Sequence, residues 1–312
     1  MVRRALALAA LLAGGCDQFT QVDRGPVEPL DRPLILMHRG AGANNPEIRE
    51  NTMPAMLYGA SLYDGVEMDL QLSRDGTLWL GHDNDVYDCS DPLGGATAGA
   101  VVGCFQELRD TAIDAVASCD VATAQPCTDP EGDGCVQHYV RLEEVFQRFS
   151  TDPALTQDLL ALDVKDQLCG SLGLDESKTM ADRIDALTRA HGMEWRLLVE
   201  SDYVTFMRRF KDNGTPTYLF VEGYAEADPI IADADREGAD GISYRYTSEP
   251  LDPSFPAGLR NRGLRVIIWP VPDPQAKVED IAPAWGMAPD VILTDRSDFL
   301  DYLELSASVR SR

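Results

Sequence analysis

The feature that most constrains this chain is a set of eight short apolar runs, four to six residues each, with amphipathic stretches lying between several of them. The runs are Leu34–His38, Val66–Leu70, Leu159–Val164, Arg196–Val199, Tyr218–Val221, Gly241–Tyr244, Arg265–Trp269 and Asp290–Thr294. A strand with one wet face alternates apolar and polar residues, whereas near-continuous apolar runs belong to parallel strands covered on both faces. Amphipathic patterns at Thr179–His191, Tyr203–Asp212, Asp228–Glu237 and Val278–Trp285 supply helical crossovers between them. Eight such strands predict an α/β fold, a (β/α)8 TIM barrel. A doubly wound open sheet is the rival fold, and the lack of a glycine-rich dinucleotide fingerprint after any run counts against it. Asp75-Gly76 is a good turn pair, so Thr77–His82 is expected to fold back on the second strand as a hairpin.

The first residues have a different character. Met1-Val2-Arg3-Arg4 is a positive segment and Ala5–Leu12 an apolar one, too short to span a bilayer that takes about 20 helical residues. Residues 1–15 therefore read as a signal peptide. Ala13-Gly14-Gly15 before Cys16 resembles the lipobox of bacterial lipoproteins, which implies cleavage after Gly15 and lipidation of Cys16, with plain secretion as the alternative. Residues 16–32 are then a tether, 33–306 the barrel and 307–312 a tail. The expected location is the bacterial cell envelope, with the membrane engaged through the lipid anchor and the protein facing the periplasm or the exterior.

An exported chain with six further cysteines suggests up to three disulfides. Cys89, Cys104, Cys119, Cys127 and Cys135 cluster in residues 83–140, and Cys169 stands apart. This segment shows little apolar periodicity, so it is expected to be a disulfide-rich insertion after the second strand, stapled rather than built on a core of its own. A zinc site is the alternative reading, but the cysteine spacings do not form the paired short loops that tetrahedral zinc prefers. The formal charge of −25, without any cluster of basic residues, makes nucleic acid an unsuitable partner.

Polar residues gather where the strands end. His38 closes the first run, Glu67 and Asp69 lie on the second, His82 closes the hairpin, and Asp163 with Lys165 closes the third. The C-terminal strand ends form the active face of a barrel of this kind. Glu67 and Asp69 are two residues apart on a strand, so they share a face. Three carboxylates pointing inward repel one another unless cations compensate them. Hard oxygen donors suit Mg²⁺ or Ca²⁺, while an ion network with Arg39 and Lys165 is the competing arrangement. His38 and His82 could serve as base and acid in an in-line displacement at phosphorus. His138 and His191 read as structural.

These residues match a family. His38-Arg39-Gly40, Glu50-Asn51-Thr52, Val66-Glu67-Met68-Asp69-Leu70, Asp75-Gly76-Thr77 and Gly81-His82-Asp83 resemble, in order and spacing, the glycerophosphodiester phosphodiesterases. Arg141–Val145, Leu162-Asp163-Val164-Lys165, Gly263–Val266, Trp269 and Ile292–Asp295 extend the resemblance over roughly residues 34–303. It implies that His38 and His82 are the catalytic acid and base, and that Glu67, Asp69 and Asp163 are ligands of one divalent cation. Arg39 and Lys165 would contact the phosphate, Glu50 would be a carboxylate beside the site, and Trp269 a wall of the substrate pocket. The implied reaction is hydrolysis of glycerophosphodiesters to glycerol phosphate and an alcohol. The family often has Glu where Asp163 stands, and related sphingomyelinase D-type phospholipases share the two histidines, so lipid or lysolipid substrates are the runner-up. A barrel-shaped envelope binding lipoprotein without catalysis is the alternative of another class.

Overall fold

The computed structural model describes residues 26–41, 45, 48–88, 100–116, 138–164, 167–168, 170–171, 174–214, 218–223, 227–246, 254–271 and 281–303. In chain order the elements begin with β1 (Leu34–Met37), α1 (Met53–Leu62), β2 (Gly65–Leu72), β3 (Leu78–Leu80), β4 (Asp85–Asp88) and β5 (Ala100–Cys104). A 3-10 turn (Phe105–Glu107) follows, then α2 (Asp110–Ile113), α3 (Leu142–Thr151), β6 (Leu159–Val164), β7 (Gln167–Leu168) and β8 (Gly170–Ser171). Next come α4 (Leu174–His191), β9 (Leu197–Ser201), α5 (Val204–Asn213), β10 (Tyr218–Gly223) and α6 (Ala227–Glu237). The chain continues with β11 (Gly241–Arg245), α7 (Phe255–Asn261), β12 (Arg265–Trp269), α8 (Ile281–Gly286) and β13 (Val291–Thr294).

The eight predicted strands are β1, β2, β6, β9, β10, β11, β12 and β13. They pair in parallel, and β1 joins both β2 and β13 to close the barrel. The doubly wound alternative is thereby excluded. β3 pairs antiparallel with the end of β2, as the Asp75-Gly76 turn predicts. Helix α1 was not legible as an amphipathic stripe because its sequence is apolar nearly all round. Its start is marked instead by Thr52, whose hydroxyl accepts from the Ala55 N–H, and by a proline in its first turn.

Strand parity decides what faces the inside. Val66, Met68 and Leu70 of β2 point outward into the layer under the helices, so Glu67 and Asp69 point inward. A separate cluster fills the interior with Leu36, Ala161, Leu198, Phe220, Ile267, Val291 and Leu293. Six of these positions have a polar or aromatic residue two places further on: His38, Asp163, Glu200, Glu222, Trp269 and Asp295. Inward apolar residues thus plug the barrel, and the next inward residue on each strand stands at the mouth. Gly241 makes room for the ring of Phe220, its register partner, because a Cβ there would lie 2.5 Å from that ring.

The segment after β3 is built differently from the expectation. Its described part is a β4–β5 hairpin, the 3-10 turn and α2. It has a small core of its own, in which Val86, Phe105, Ile113 and Val116 pack with Trp79 and Tyr139. Asp110 accepts hydrogen bonds from Ser73 Oγ (2.6 Å), Thr77 Oγ1 (2.6 Å) and Trp79 Nε1 (3.1 Å), which fastens α2 to the β2–β3 turn. Burial pushes the Asp110 carboxyl up, but those three donors and the Arg141 charge outweigh it and hold the group below its ordinary value. Of the seven cysteines only Cys104 falls among the described residues; Cys16, Cys89, Cys119, Cys127, Cys135 and Cys169 lie outside them.

The leader also lies outside the described residues, but the end of the expected tether is docked on the barrel. The Val27 N–H donates to the Arg260 carbonyl, and Arg32 forms a two-pronged pair with Asp64. Among the described residues no helix is long and apolar enough to cross a membrane.

Candidate active site

The two short motifs around His38 and Glu50 act as one device. After β1 the backbone turns sharply through left-handed Arg39 (φ 53°) and Gly40 (φ 78°). A Cβ on Gly40 would come within 2.7 Å of the Ala55 backbone, so only glycine lets α1 approach this closely. The turn presents the Arg39 N–H to Glu67 Oε2 at 2.8 Å, and Glu50, wholly buried, takes the Arg39 guanidinium at 2.6 Å. Asn51 grips Asp69 twice. Its amide donates to Asp69 Oδ2 (2.8 Å), and its Oδ1 accepts from the Asp69 N–H (3.0 Å). Thr52 then caps α1. Each residue of the two motifs thus fixes a neighbour of the acidic cluster.

Glu67, Asp69 and Asp163 each offer an oxygen, and these oxygens lie within 4.8 Å of one another with all three residues buried. Asp69 and Asp163 are register partners on β2 and β6. Burial, followed by the charges of Asp69, Asp163 and Glu200, pushes the Glu67 carboxyl well above its ordinary value, against the hydrogen bond from Arg39. Arg39 Nε lies 3.4 Å from Asp69 and brings positive charge to the cluster. This donor set is hard, anionic and convergent, and it fits a divalent cation of the Mg²⁺ or Ca²⁺ type.

Both imidazoles are oriented by carboxylates. His38 Nδ1 donates to Asp295 Oδ1 at 2.7 Å, and its Nε2 lies 3.7 Å from Glu67 Oε2. His82 Nδ1 donates to Asp83 Oδ1 at 3.0 Å. An ionised carboxylate can only accept, so the proton sits on Nδ1 in each neutral ring and Nε2 is left basic. The His38 ring also lies against Trp269, with centroids 6.4 Å apart. His38, Arg39, Glu67, His82, Asp163 and Trp269 line one cavity of about 200 Å³ at the mouth, together with Glu200, Glu222, Arg245 and Leu293.

The structure therefore gathers His38, His82, Arg39, Glu67, Asp69, Asp163 and Trp269. Glu50 is not among the lining residues; it sits beneath Arg39. Lys165 falls outside the described residues; of the competing ion network, the pairs of Arg39 with Glu50 and Asp69 are described. His138 bonds the Val116 carbonyl and His191 lies beside Phe146, both away from the cavity. Four site residues carried no role in the sequence reading: Glu200, Glu222, Arg245 and Asp295. Their signal was strand parity, since each stands at the end of a barrel strand on the inward face.

The family model described as "Glycerophosphoryl diester phosphodiesterase family" matches residues 38–299. No curated protein matches the sequence. Among solved structures, one from Silicibacter pomeroyi assigned as a glycerophosphoryl diester phosphodiesterase superposes with TM-score 0.72 at 18% identity, covering 91% of this chain and 96% of that one. A glycerophosphodiester phosphodiesterase from Parabacteroides distasonis gives TM-score 0.66 at 15% identity over 90% of this chain and 99% of its own. An Oleispira antarctica phosphodiesterase in complex with the product sn-glycerol-3-phosphate gives 0.64 at 15% identity, over 88% and 97%. These likenesses share the barrel described above.

Proposed function

Since the chain belongs to the glycerophosphoryl diester phosphodiesterase family, we propose that it hydrolyses glycerophosphodiesters to glycerol phosphate and an alcohol. In this reading one divalent cation is held by Glu67, Asp69 and Asp163, and His38 and His82 exchange protons with the substrate. The observation that carries the reading is the convergence of two carboxylate-oriented imidazoles and a buried triple carboxylate on one cavity. A related phosphodiesterase fold that holds sn-glycerol-3-phosphate supports the product assignment.

The chain's own residues do the following. Asp295 keeps the His38 Nδ1 proton in place, so that Nε2 faces the reacting atoms; Asp83 does the same for His82. One imidazole accepts the proton of the attacking hydroxyl as its oxygen bonds to phosphorus. The other, as imidazolium, donates a proton to the alcohol oxygen as the phosphorus–oxygen bond to it breaks. Where the attacking hydroxyl belongs to the glycerol unit, the first product is a cyclic phosphate. Water then opens it to glycerol phosphate as the ring phosphorus–oxygen bond breaks and the freed oxygen takes a proton. The two histidines follow β1 and β3, strands that both pair with β2, the strand carrying Glu67 and Asp69. Glu67, Asp69 and Asp163 would hold the divalent cation, which when bound would supply Lewis acidity toward a phosphoryl oxygen and an attacking hydroxyl. Arg39, locked by Glu50, and Lys165 are the proposed phosphate contacts, with Trp269 as a wall.

The test is hydrolysis of glycerophosphocholine with Mg²⁺ or Ca²⁺ by the parent and by His38→Ala, His82→Ala and Glu67→Ala. Each variant is expected to lose at least about 10²-fold in kcat. Parent-like variants would overturn the assignment.

The export reading is likewise a proposal, supported by the sequence of residues 1–16: a cleaved leader, lipidation of Cys16 and a place in the bacterial envelope. Fatty-acid labelling that persists in Cys16→Ser would overturn it. We also propose that disulfides brace the segment after β3, a reading supported by Cys104, which is buried and disulfide-bonded.

A further inference from the structure

We propose that Arg245, held over the face of Trp269, is an anion-binding element of the cavity and takes an anionic oxygen of the substrate. The inference builds on the phosphodiesterase reading. It concerns a residue that neither the motifs nor that mechanism uses.

Arg245 is the last residue of β11, on the same face as the wholly buried Ser243, and it lines the cavity. It is the register partner of Trp269 on β12, and its Cζ stands 5.9 Å from the centroid of that ring. A cation–π contact at that distance draws the guanidinium toward the ring without using any of its five N–H donors. The other described arginine of the cavity, Arg39, is a proposed phosphate contact but spends part of its guanidinium on carboxylates. Arg39 is tied to Glu50 at 2.6 Å and leans on Asp69 at 3.4 Å. Arg245 makes no such pair with a carboxylate among the described residues, and it is exposed where Arg39 is mostly covered.

The electrostatics favour a further cation of this kind. Glu67, Asp163, Glu200 and Glu222 all line the cavity, a lining that repels a phosphodiester anion. In the order of barrel strands β11 is separated from β2 by β12, β13 and β1 on one side, and by β10, β9 and β6 on the other. Arg245 therefore faces the acidic cluster across the mouth, and a substrate held between them meets positive charge on both sides once the cation site is loaded. A planar fork of donors suits phosphate or carboxylate oxygens. The anion could be the scissile phosphodiester itself or a carboxylate carried by the alcohol.

The experiment uses the full chain loaded with Mg²⁺ or Ca²⁺, as the parent, Arg245→Ala, Arg245→Lys and a control, Arg262→Ala, which pairs with Asp235 outside the cavity. Titration calorimetry with inorganic phosphate and with sn-glycerol 3-phosphate is read beside KM and kcat for glycerophosphocholine and glycerophosphoserine. Arg245→Ala is expected to weaken phosphate binding and raise KM by roughly 10- to 100-fold, with kcat much less affected. Arg245→Lys should recover part of both, and Arg262→Ala should match the parent. A KM defect confined to glycerophosphoserine would assign Arg245 to the alcohol's carboxylate; a defect on both substrates assigns it to the phosphodiester. Parent-like phosphate affinity and KM in Arg245→Ala, or a fall in kcat alone, would overturn the proposal. If the parent hydrolyses neither substrate, the phosphodiesterase reading fails, while titration with inorganic phosphate and with acetate, read in the parent and in Arg245→Ala, still decides whether Arg245 binds an anion.

Discussion

His38 Nδ1 donates to Asp295 Oδ1 at 2.7 Å across the join between the first and last strands of the barrel, and both side chains are nearly buried. Closure of the sheet is what creates the pair, because β1 and β13 are register neighbours although the two residues are 257 positions apart. Asp295→Asn keeps the shape but can donate as well as accept, which allows the imidazole to turn its proton to Nε2. The expected result is a loss of about 10- to 10³-fold in kcat, with KM and the melting temperature close to the parent. An unchanged kcat would show that Asp295 does not position His38.

The acidic cluster makes opposite predictions with and without a divalent ion. In the metal-free protein, Glu67→Gln removes a carboxyl whose ionisation is opposed by burial and by its acidic neighbours, so at neutral pH its melting temperature should rise above that of the parent. Added Mg²⁺ or Ca²⁺ should stabilise the parent, by about 2.7 kcal/mol at a hundredfold excess over Kd, and the variant much less. Thermal melts with and without chelator measure both effects. Equal stabilisation of the two proteins would remove Glu67 from the ligand set.

The turn after β1 gives a test of backbone geometry. Gly40→Ala places a Cβ at φ 78° against the Ala55 backbone and the Met56 side chain. The strain alone costs about 1–3 kcal/mol, and shifting α1 disturbs the Asn51 clamp on Asp69. Denaturant melts should show destabilisation of that order or more, together with a loss of activity. Asn51→Ala leaves the Arg39–Gly40 turn intact but puts an alanine at φ 57° and removes both bonds to Asp69. It should lose activity with a stability cost of its own of about 1–3 kcal/mol.

Much of this was legible in the sequence because buried parallel strands announce themselves as continuous apolar runs, and all eight form the barrel. The cluster of Glu67, Asp69 and Asp163 was legible for a related reason, since a carboxylate inside such a run has few places to go. Glu200 and Glu222 were not, because they come just after the apolar stretch and read as the start of a loop until strand parity is known. The small core of the segment after β3 escaped as well. Val86, Phe105, Ile113 and Tyr139 follow no period and meet only when the hairpin folds back on Trp79. Helix α1 hid its nature by being apolar on every side.

That segment also carries a pH prediction. Asp110 ties α2 to Ser73, Thr77 and Trp79, and its carboxyl is held below the ordinary carboxylate value of 3.8. A group whose folded-state pKa is lowered contributes stability that is fully present above its unfolded value and is lost as pH falls through the folded one. The parent should therefore hold its melting temperature down to about pH 4 with respect to this group, and lose stability below it. Asp110→Asn keeps part of the hydrogen bonding but has no charge to titrate, so the acid side of its stability profile should be flatter and its stability at neutral pH lower by about 1–3 kcal/mol. Melts at pH 3 to 7 on both proteins give the comparison; parallel curves would mean that Asp110 is not the group that couples this segment to acid.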